Sequence, residues 1–326
     1  MNASAINQRF AWMPEGVQVT SLPPDLVLVV DKSLRTPQYG PHHNEGPFMV
    51  HHLMTIIETL QDVFQRKTFE SKVPNEIRRL ILDEASKHLD KLLLYVFLHD
   101  IDKPDCMTFV YKDGRKESVS WMKWHELINS HRLGKFVYQG QFDRAGDDRQ
   151  QALANLLDDL GVKSISYYQK REEGKGKPKV VAHGKSAARW LSRRGDIPAL
   201  VIKAIEAHEV AYQFDQKGGV NLKLFRKLFS DWKTDEIAFM LLVNYADMMG
   251  SLGVDMQPKI DGFLWLARTH LAVETGKDVL AIAAEKSIEI DMNALDQELE
   301  RIYNHHSDDF AFLVDAQRIY EKVRQR

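Results

Sequence analysis

Two stretches of helical rhythm constrain this chain more than any other feature. Leu53, Ile56, Ile57, Leu60, Val63 and Phe64 follow the i, i+3, i+4, i+7 spacing of a helix packed along one face, with His52 one turn ahead of Ile56 on that face. A longer run, Ile77, Leu80, Ile81, Ala85, Leu89, Leu92, Leu93, Val96 and Phe97, ends at His99-Asp100, just ahead of Pro104. Stripes of this length have to be buried against one another. The chain is therefore expected to be mainly α, with a histidine and a carboxylate at the inner end of a core helix.

Further helical rhythm is predicted from Ala152 to Leu160, from Ser186 to Arg194, and from Pro198 to Tyr212 with Val201, Ala204, Ile205 and His208 in line. It returns from Thr234 to Met249, and near Val279–Ile288, Ala294–Tyr303 and Phe310–Val323 it predicts an all-α tail. MTFVY and ESVSW flank Lys112-Asp113-Gly114-Arg115, a hairpin pattern with an Asp-Gly turn. SISYYQ and PKVVA around the charged REEGKGK loop suggest a second hairpin. GVQVTSL and LVLVVD, separated by Pro23 and Pro24, read as two short strands in a lead-in. These patterns set off a lead-in (1–41) and a helical extension (256–326) expected to pack on the helical part between them.

A formal net charge of −2 gives no general electrostatic case for nucleic-acid binding. The single Cys106 rules out an intramolecular disulfide framework. No stretch approaches the roughly 20 apolar residues of a membrane span, and the N-terminus lacks a signal-peptide pattern, so a soluble, cytoplasmic protein is expected. Gly184-Lys185-Ser186 is not the end of a phosphate-binding loop, because that motif needs glycine where this chain has Lys179.

The 13 histidines carry more weight, since imidazole is both a metal ligand and a proton carrier near neutral pH. Taken alone, a His-Asp pair says little. Here other histidines and an aspartate recur at helix-facing positions on both sides of it. Mixed imidazole and carboxylate sites suit divalent transition metals and leave room for water and a phosphate oxygen. His52 is preferred to His51 because it shares a face with Ile56 and Val63. Lys103 is placed either beside a metal-bound phosphate or in solvent. Lys185, Arg189, Arg193 and Arg194, with the basic loop from Lys170 to Lys179, form either a rim for a polyanion or a solvated face.

In MVHHLMTIIETL, YVFLHDIDKPD, VVAHGKSAARWL, IKAIEAHEV and LLVNYADMMG the chain resembles the HD superfamily of metal-dependent phosphohydrolases. It is most similar to the HD domain attached to bacterial tRNA CCA-adding enzymes, over roughly residues 42–250 with one long interruption, so the resemblance implies an HD domain at 42–255 that carries an insertion at about 122–180. The resemblance implies an HD helical bundle holding one or two divalent ions (manganese, nickel, cobalt, magnesium or iron). It makes His52, His99, Asp100 and Asp247 the core ligands, with Asp100 bridging if two ions bind. His183 and His208 then match the additional histidines, although His125 also stands where the third motif could fall. Asp100 and Lys103 would be catalytic, with Lys103, Lys185 and Arg189 toward substrate. The implied substrates are nucleotides or RNA ends, including 2′,3′-cyclic phosphates and terminal monophosphates. A deoxynucleotide triphosphohydrolase, a nuclease and a non-catalytic nucleotide- or RNA-binding module remain as alternatives. Two departures stand out: Asp102 replaces a common glycine, and no nucleotidyltransferase signature is present.

Overall fold

The computed structural model of the chain describes residues 12–13, 22–39, 43–46, 48–131, 147–167, 169–172, 179–251, 256–304, 319 and 321. It is mainly helical, 67% helix and 7% strand, with a small antiparallel sheet. Two compact units interleave along the sequence. The first combines Met1–Thr68, His88–Glu209 and Leu242–Met256; the second combines Phe69–Lys87, Val210–Leu241 and Gln257–Arg326. Among the described residues no helix is long and apolar enough to cross a membrane.

Among the described residues the first helix of the first unit is α1 (Pro24–Leu34), where a lead-in strand was expected from LVLVVD. Pro24 sits in the first turn, where its missing N–H costs nothing, and Leu26, Val30, Ser33 and Leu34 line one buried face. That spacing is helical, so the β-branched composition of the segment is overridden by its packing. GVQVTSL lies outside the described residues apart from Leu22. Helix α2 (Met49–Gln61) continues as a π-turn through Asp62–Arg66 and ends where Lys67 turns left-handed. It buries the predicted face and His52 with it.

The long run before His99 is not one helix. It divides into α3 (Asn75–Glu84), a 3-10 segment Ala85–Lys91 and α4 (Leu92–Leu98), because the backbone at His88 leaves helical geometry (φ −124°). All seven residues of α4 are buried, so this short rod is surrounded on every side rather than along one stripe.

The Lys112–Arg115 hairpin forms as expected: β1 (Thr108–Tyr111) pairs antiparallel with β2 (Lys116–Ser118). The second expected hairpin is only half correct. The SIS of SISYYQ forms β3 (Val162–Ser166), which joins the other edge of β1 with Phe109 opposite Ile165. The partner of PKVVA is instead β4 (Gln169–Glu172), paired antiparallel with β5 (Lys179–Ala182). Phe109, Trp124, Leu157, Val162 and Ile165 pack into one apolar cluster that fastens α5 (Trp121–Ser130) and α6 (Asp147–Asp159) to the three-stranded sheet.

Strand β5 runs directly into α7 (His183–Leu191), followed by α8 (Ala199–Glu206). The helix expected through Tyr212 stops at Glu206, leaving His208 in the turn beyond it, and a short α9 (Ala211–Asp215) follows. In the second unit, α10 (Leu222–Phe229), α12 (Met256–Glu285) and α13 (Met292–Tyr303) share a core of Leu222, Val279, Leu299 and Ile302. Helix α11 (Thr234–Gly250) begins in the second unit and enters the first at Leu242. The tail is helical as expected but with longer elements, since α12 starts more than twenty residues before Val279. The run at 310–323 lies outside the described residues except for 319 and 321.

In the second unit His270 is fully buried and stacks on Phe225 at 5.7 Å. Burial pushes its pKa down from 6.5 to about 4, against the pull of the Glu274 carboxylate 4.0 Å away. Because the folded pKa lies below the unfolded value, the unfolded chain takes up the proton first, and stability falls as pH drops from 6.5 toward 4. The loss reaches about 3 kcal/mol. His270→Phe is expected to flatten this decline, measured as the difference in urea midpoint between pH 7 and pH 4.5.

Candidate metal centre

Five segments of the first unit place the histidines and aspartates that the sequence singles out. Midway along α2 the Thr55 hydroxyl donates to the Gly250 carbonyl at 2.6 Å, tying the helix to the end of α11. That contact sets Asp247 against His52, with Oδ1 2.8 Å from Nε2. His99 and Asp100 leave the end of α4, and the Asp100 carbonyl is held by the Ser33 hydroxyl of α1 at 3.1 Å and by the Lys103 N–H at 3.0 Å. His183 is the first residue of α7, and His208 lies just past α8. The two helices approach closely because residue 184 is glycine: a Cβ there would lie 2.5 Å from His208 Cε1 and 2.7 Å from the Ile205 carbonyl oxygen.

Two groups of ligand atoms result, sharing Asp100. His52, His99 and Asp100 form one, and Asp100, His183 and His208 the other, the atoms of each group lying within 4.8 Å of one another. All five side chains are buried. Asp247 joins the first group, its Oδ1 also 3.9 Å from His99 Nε2, and is 24% exposed, so the cluster opens on its side.

Backbone carbonyls set the tautomers. His99 Nδ1 donates to the Val96 carbonyl at 2.9 Å, and His208 Nδ1 donates to the Ile205 carbonyl at 2.6 Å. Each ring therefore turns an unprotonated Nε2 into the cluster when neutral. His99 Nε2 is buried without a hydrogen-bond partner and faces Asp100 Oδ2 at 3.1 Å. His183 Nε2 lies 3.0 Å from His208 Nε2 and 3.1 Å from Asp100 Oδ1. Lone pairs facing each other at such distances require a proton or a cation between them, and nitrogen and carboxylate oxygen together suit a divalent metal. His52, His99, Asp100, His183 and His208 could thus hold a metal ion.

The electrostatics agree. Burial would raise the Asp100 carboxyl, but the neighbouring His99 and Lys103 and the hydrogen bond with His183 hold it well below the usual carboxylate range. Lys103 is itself buried, its Nζ 2.8 Å from Asp100 Oδ2 and 5.6 Å from the Tyr167 ring centroid. Burial opposes its charge, yet Asp100 raises it above the ordinary lysine value. For His52, burial is likewise outweighed, and Asp247 and Glu45 lift the imidazole to about 9. Tyr95 stacks on the His99 ring at 5.3 Å and 14°, and burial raises its phenol well above 10.

The structure brings His52, His99, Asp100, Lys103, His183, His208 and Asp247 together. It brings His183 into the cluster, whereas His125 lies on α5 with Nδ1 3.1 Å from the Asn129 amide. His51 turns away, its Nδ1 accepting the Phe48 N–H at 3.2 Å. Lys103 is not the solvated lysine its loop position allowed. Lys185 is exposed, with Nζ 4.0 Å from Glu206, and Arg194 pairs with Asp25 and Asp196; neither reaches the cluster. Arg189 is half-buried on α7.

Sequence reasoning missed Glu45, His43 and Glu209. Glu45 Oε1 lies 3.4 Å from His52 Nδ1 and 2.8 Å from His43 Nδ1, and Glu209 Oε1 lies 3.9 Å from His183 Nδ1. Adjacency to a ligand, as in His208-Glu209, was the one available signal for Glu209.

No family model, curated protein or solved structure matches this chain significantly.

Gly184→Ala is expected to force His208 and α8 apart from α7, costing about 2 kcal/mol as an overpacking change. It should also weaken metal binding at the His183/His208 group, checked by chemical denaturation and by metal titration of the folded fraction.

Proposed function

We propose that this protein is a metal-dependent phosphohydrolase of the HD type, acting on phosphate esters of nucleotides or RNA ends. The observation that carries the reading is the shared carboxylate: Asp100 presents one oxygen to His99 and the other to His183, with His208 Nε2 close by. His52, His99, Asp100 and Asp247 would hold one divalent ion, and Asp100, His183 and His208 a second. Manganese, iron, cobalt, nickel and magnesium all suit this nitrogen and oxygen set to differing degrees. Bound there, such ions supply Lewis acidity toward phosphoryl oxygens and lower the pKa of water.

The remaining work falls to the chain. Asp100 and Asp247 contribute the negative charge that balances divalent ions. Carbonyl-locked His99 and His208 present lone pairs at fixed positions, so little reorganisation is needed on loading. Lys103 brings a buried ammonium beside Asp100, where it offsets negative charge growing on a transferred phosphoryl group. Similarity to the motifs of CCA-associated HD domains favours nucleotides, RNA ends and 2′,3′-cyclic phosphates as the ester class.

The test is metal content together with hydrolysis of a panel of phosphomonoesters, phosphodiesters, 2′,3′-cyclic nucleotides and deoxynucleoside triphosphates. Asp100→Ala is expected to lose both metal and turnover. Lys103→Met should retain metal while kcat falls roughly 10²-fold. Stoichiometric metal without turnover on any member of the panel would move the assignment to a binding module.

A further inference from the structure

Glu45 stands outside both metal-capable groups that share Asp100, yet its side chain is fully buried. An ionised carboxylate in that position needs partners, and three converge on it. His43 Nδ1 lies 2.8 Å from Oε1 and His52 Nδ1 lies 3.4 Å from the same oxygen. With the Gln38 amide oriented to suit its neighbours, its nitrogen lies 3.1 Å from Glu45 Oε1 and its oxygen 3.2 Å from Lys103 Nζ. The backbone beside Glu45 is constrained as well. Gly46 has φ +156°, and a Cβ there would lie 2.3 Å from His51 Cγ, so glycine is what lets this segment pass against α2.

We propose that Glu45 is a positioning residue for the metal centre: its buried carboxylate, held by His43 and Gln38, lies 3.4 Å behind His52 Nδ1 and, by attracting that side of the ring, turns His52 Nε2 toward an ion beside Asp247. A carboxylate behind a ligating imidazole fixes its tautomer and orientation and raises its basicity. Among the ring nitrogens facing the cluster, those of His99 and His208 are fixed by backbone carbonyls of their own helix ends. His52 stands inside a helix, where its own turn has no spare carbonyl. It therefore borrows an acceptor from a distant segment, and the same brace reaches Lys103 through Gln38. The inference rests on the metal-site part of the proposed function and not on its hydrolytic part.

His43, Glu45 and His52 also lie close enough together to form a metal-capable trio in their own right. The 2.8 Å contact with His43 and the burial of Glu45 favour the brace over that trio.

The experiment is titration of metal-stripped, full-length protein with Mn²⁺ by calorimetry and by electron paramagnetic resonance, for wild type, Glu45→Ala, Glu45→Gln and His43→Ala. Glu45→Ala is expected to weaken the tightest Mn²⁺ by roughly 10- to 100-fold, with the number of ions unchanged. Glu45→Gln, which keeps an oxygen toward Nδ1 but loses the charge, should fall between it and wild type, and carries the test with His43→Ala if the alanine variant does not fold. Wild-type affinity in all the folded variants would overturn the inference. So would loss of one ion with the others bound as before, which would make the trio a separate site, and so would a wild type that binds no Mn²⁺. A wild type whose affinity depends on Glu45 but that hydrolyses no phosphate ester would support the inference and sink the hydrolase reading alone.

Discussion

A carboxylate is costly to keep away from water, and Asp100 is almost wholly buried. Everything around it answers that cost. Two imidazole nitrogens lie about 3.1 Å from its oxygens, one from each side, and an ammonium lies 2.8 Å away. The backbone helps too: the Asp100 carbonyl accepts from Ser33 on α1 and from the Lys103 N–H, which closes the turn that delivers the lysine. The helices of this unit are arranged so that their ends and first turns, rather than their middles, meet at one anion.

The same local device appears twice. His99 follows α4 and His208 follows α8, and each donates from Nδ1 to the carbonyl three residues earlier. The last carbonyls of a helix lack partners within the helix, so an imidazole just beyond the end satisfies one of them. The helix gains a cap and the ring gains a fixed orientation. His52 sits inside a helix and His183 at the start of one, and behind each lies a carboxylate, Glu45 at 3.4 Å and Glu209 at 3.9 Å.

Much of this centre was legible because its members punctuate periodic segments. His52 shares a stripe with Ile56, and His99-Asp100 terminates an apolar run, so their inward direction followed from the helix repeat. His183 and His208 were singled out by the resemblance, which left His125 as the alternative to His183. What escaped was of two kinds. LVLVVD has strand-like composition, and only its burial at Leu26, Val30 and Leu34 makes it helical. Glu45 and His43 lie in a non-periodic stretch, where nothing in the spacing tells a buried brace from a solvated loop. The kink at His88 escaped for a related reason, since apolar spacing can continue in phase across a break that the backbone makes.

His52 and Asp247 touch across a separation of 195 residues, while His99 and Asp100 are neighbours in the chain. The centre thus has a birth order. During synthesis the His99-Asp100 pair emerges early, with its buried anion partly uncompensated, and its other partners arrive one helix at a time. Asp247 comes last, on a helix that must dock its final turns against α2, a non-local closure of the kind that slows folding. An unfinished chain therefore carries most of the donor atoms while one side of the cluster is still missing, and the arrangement is complete only with the last helix.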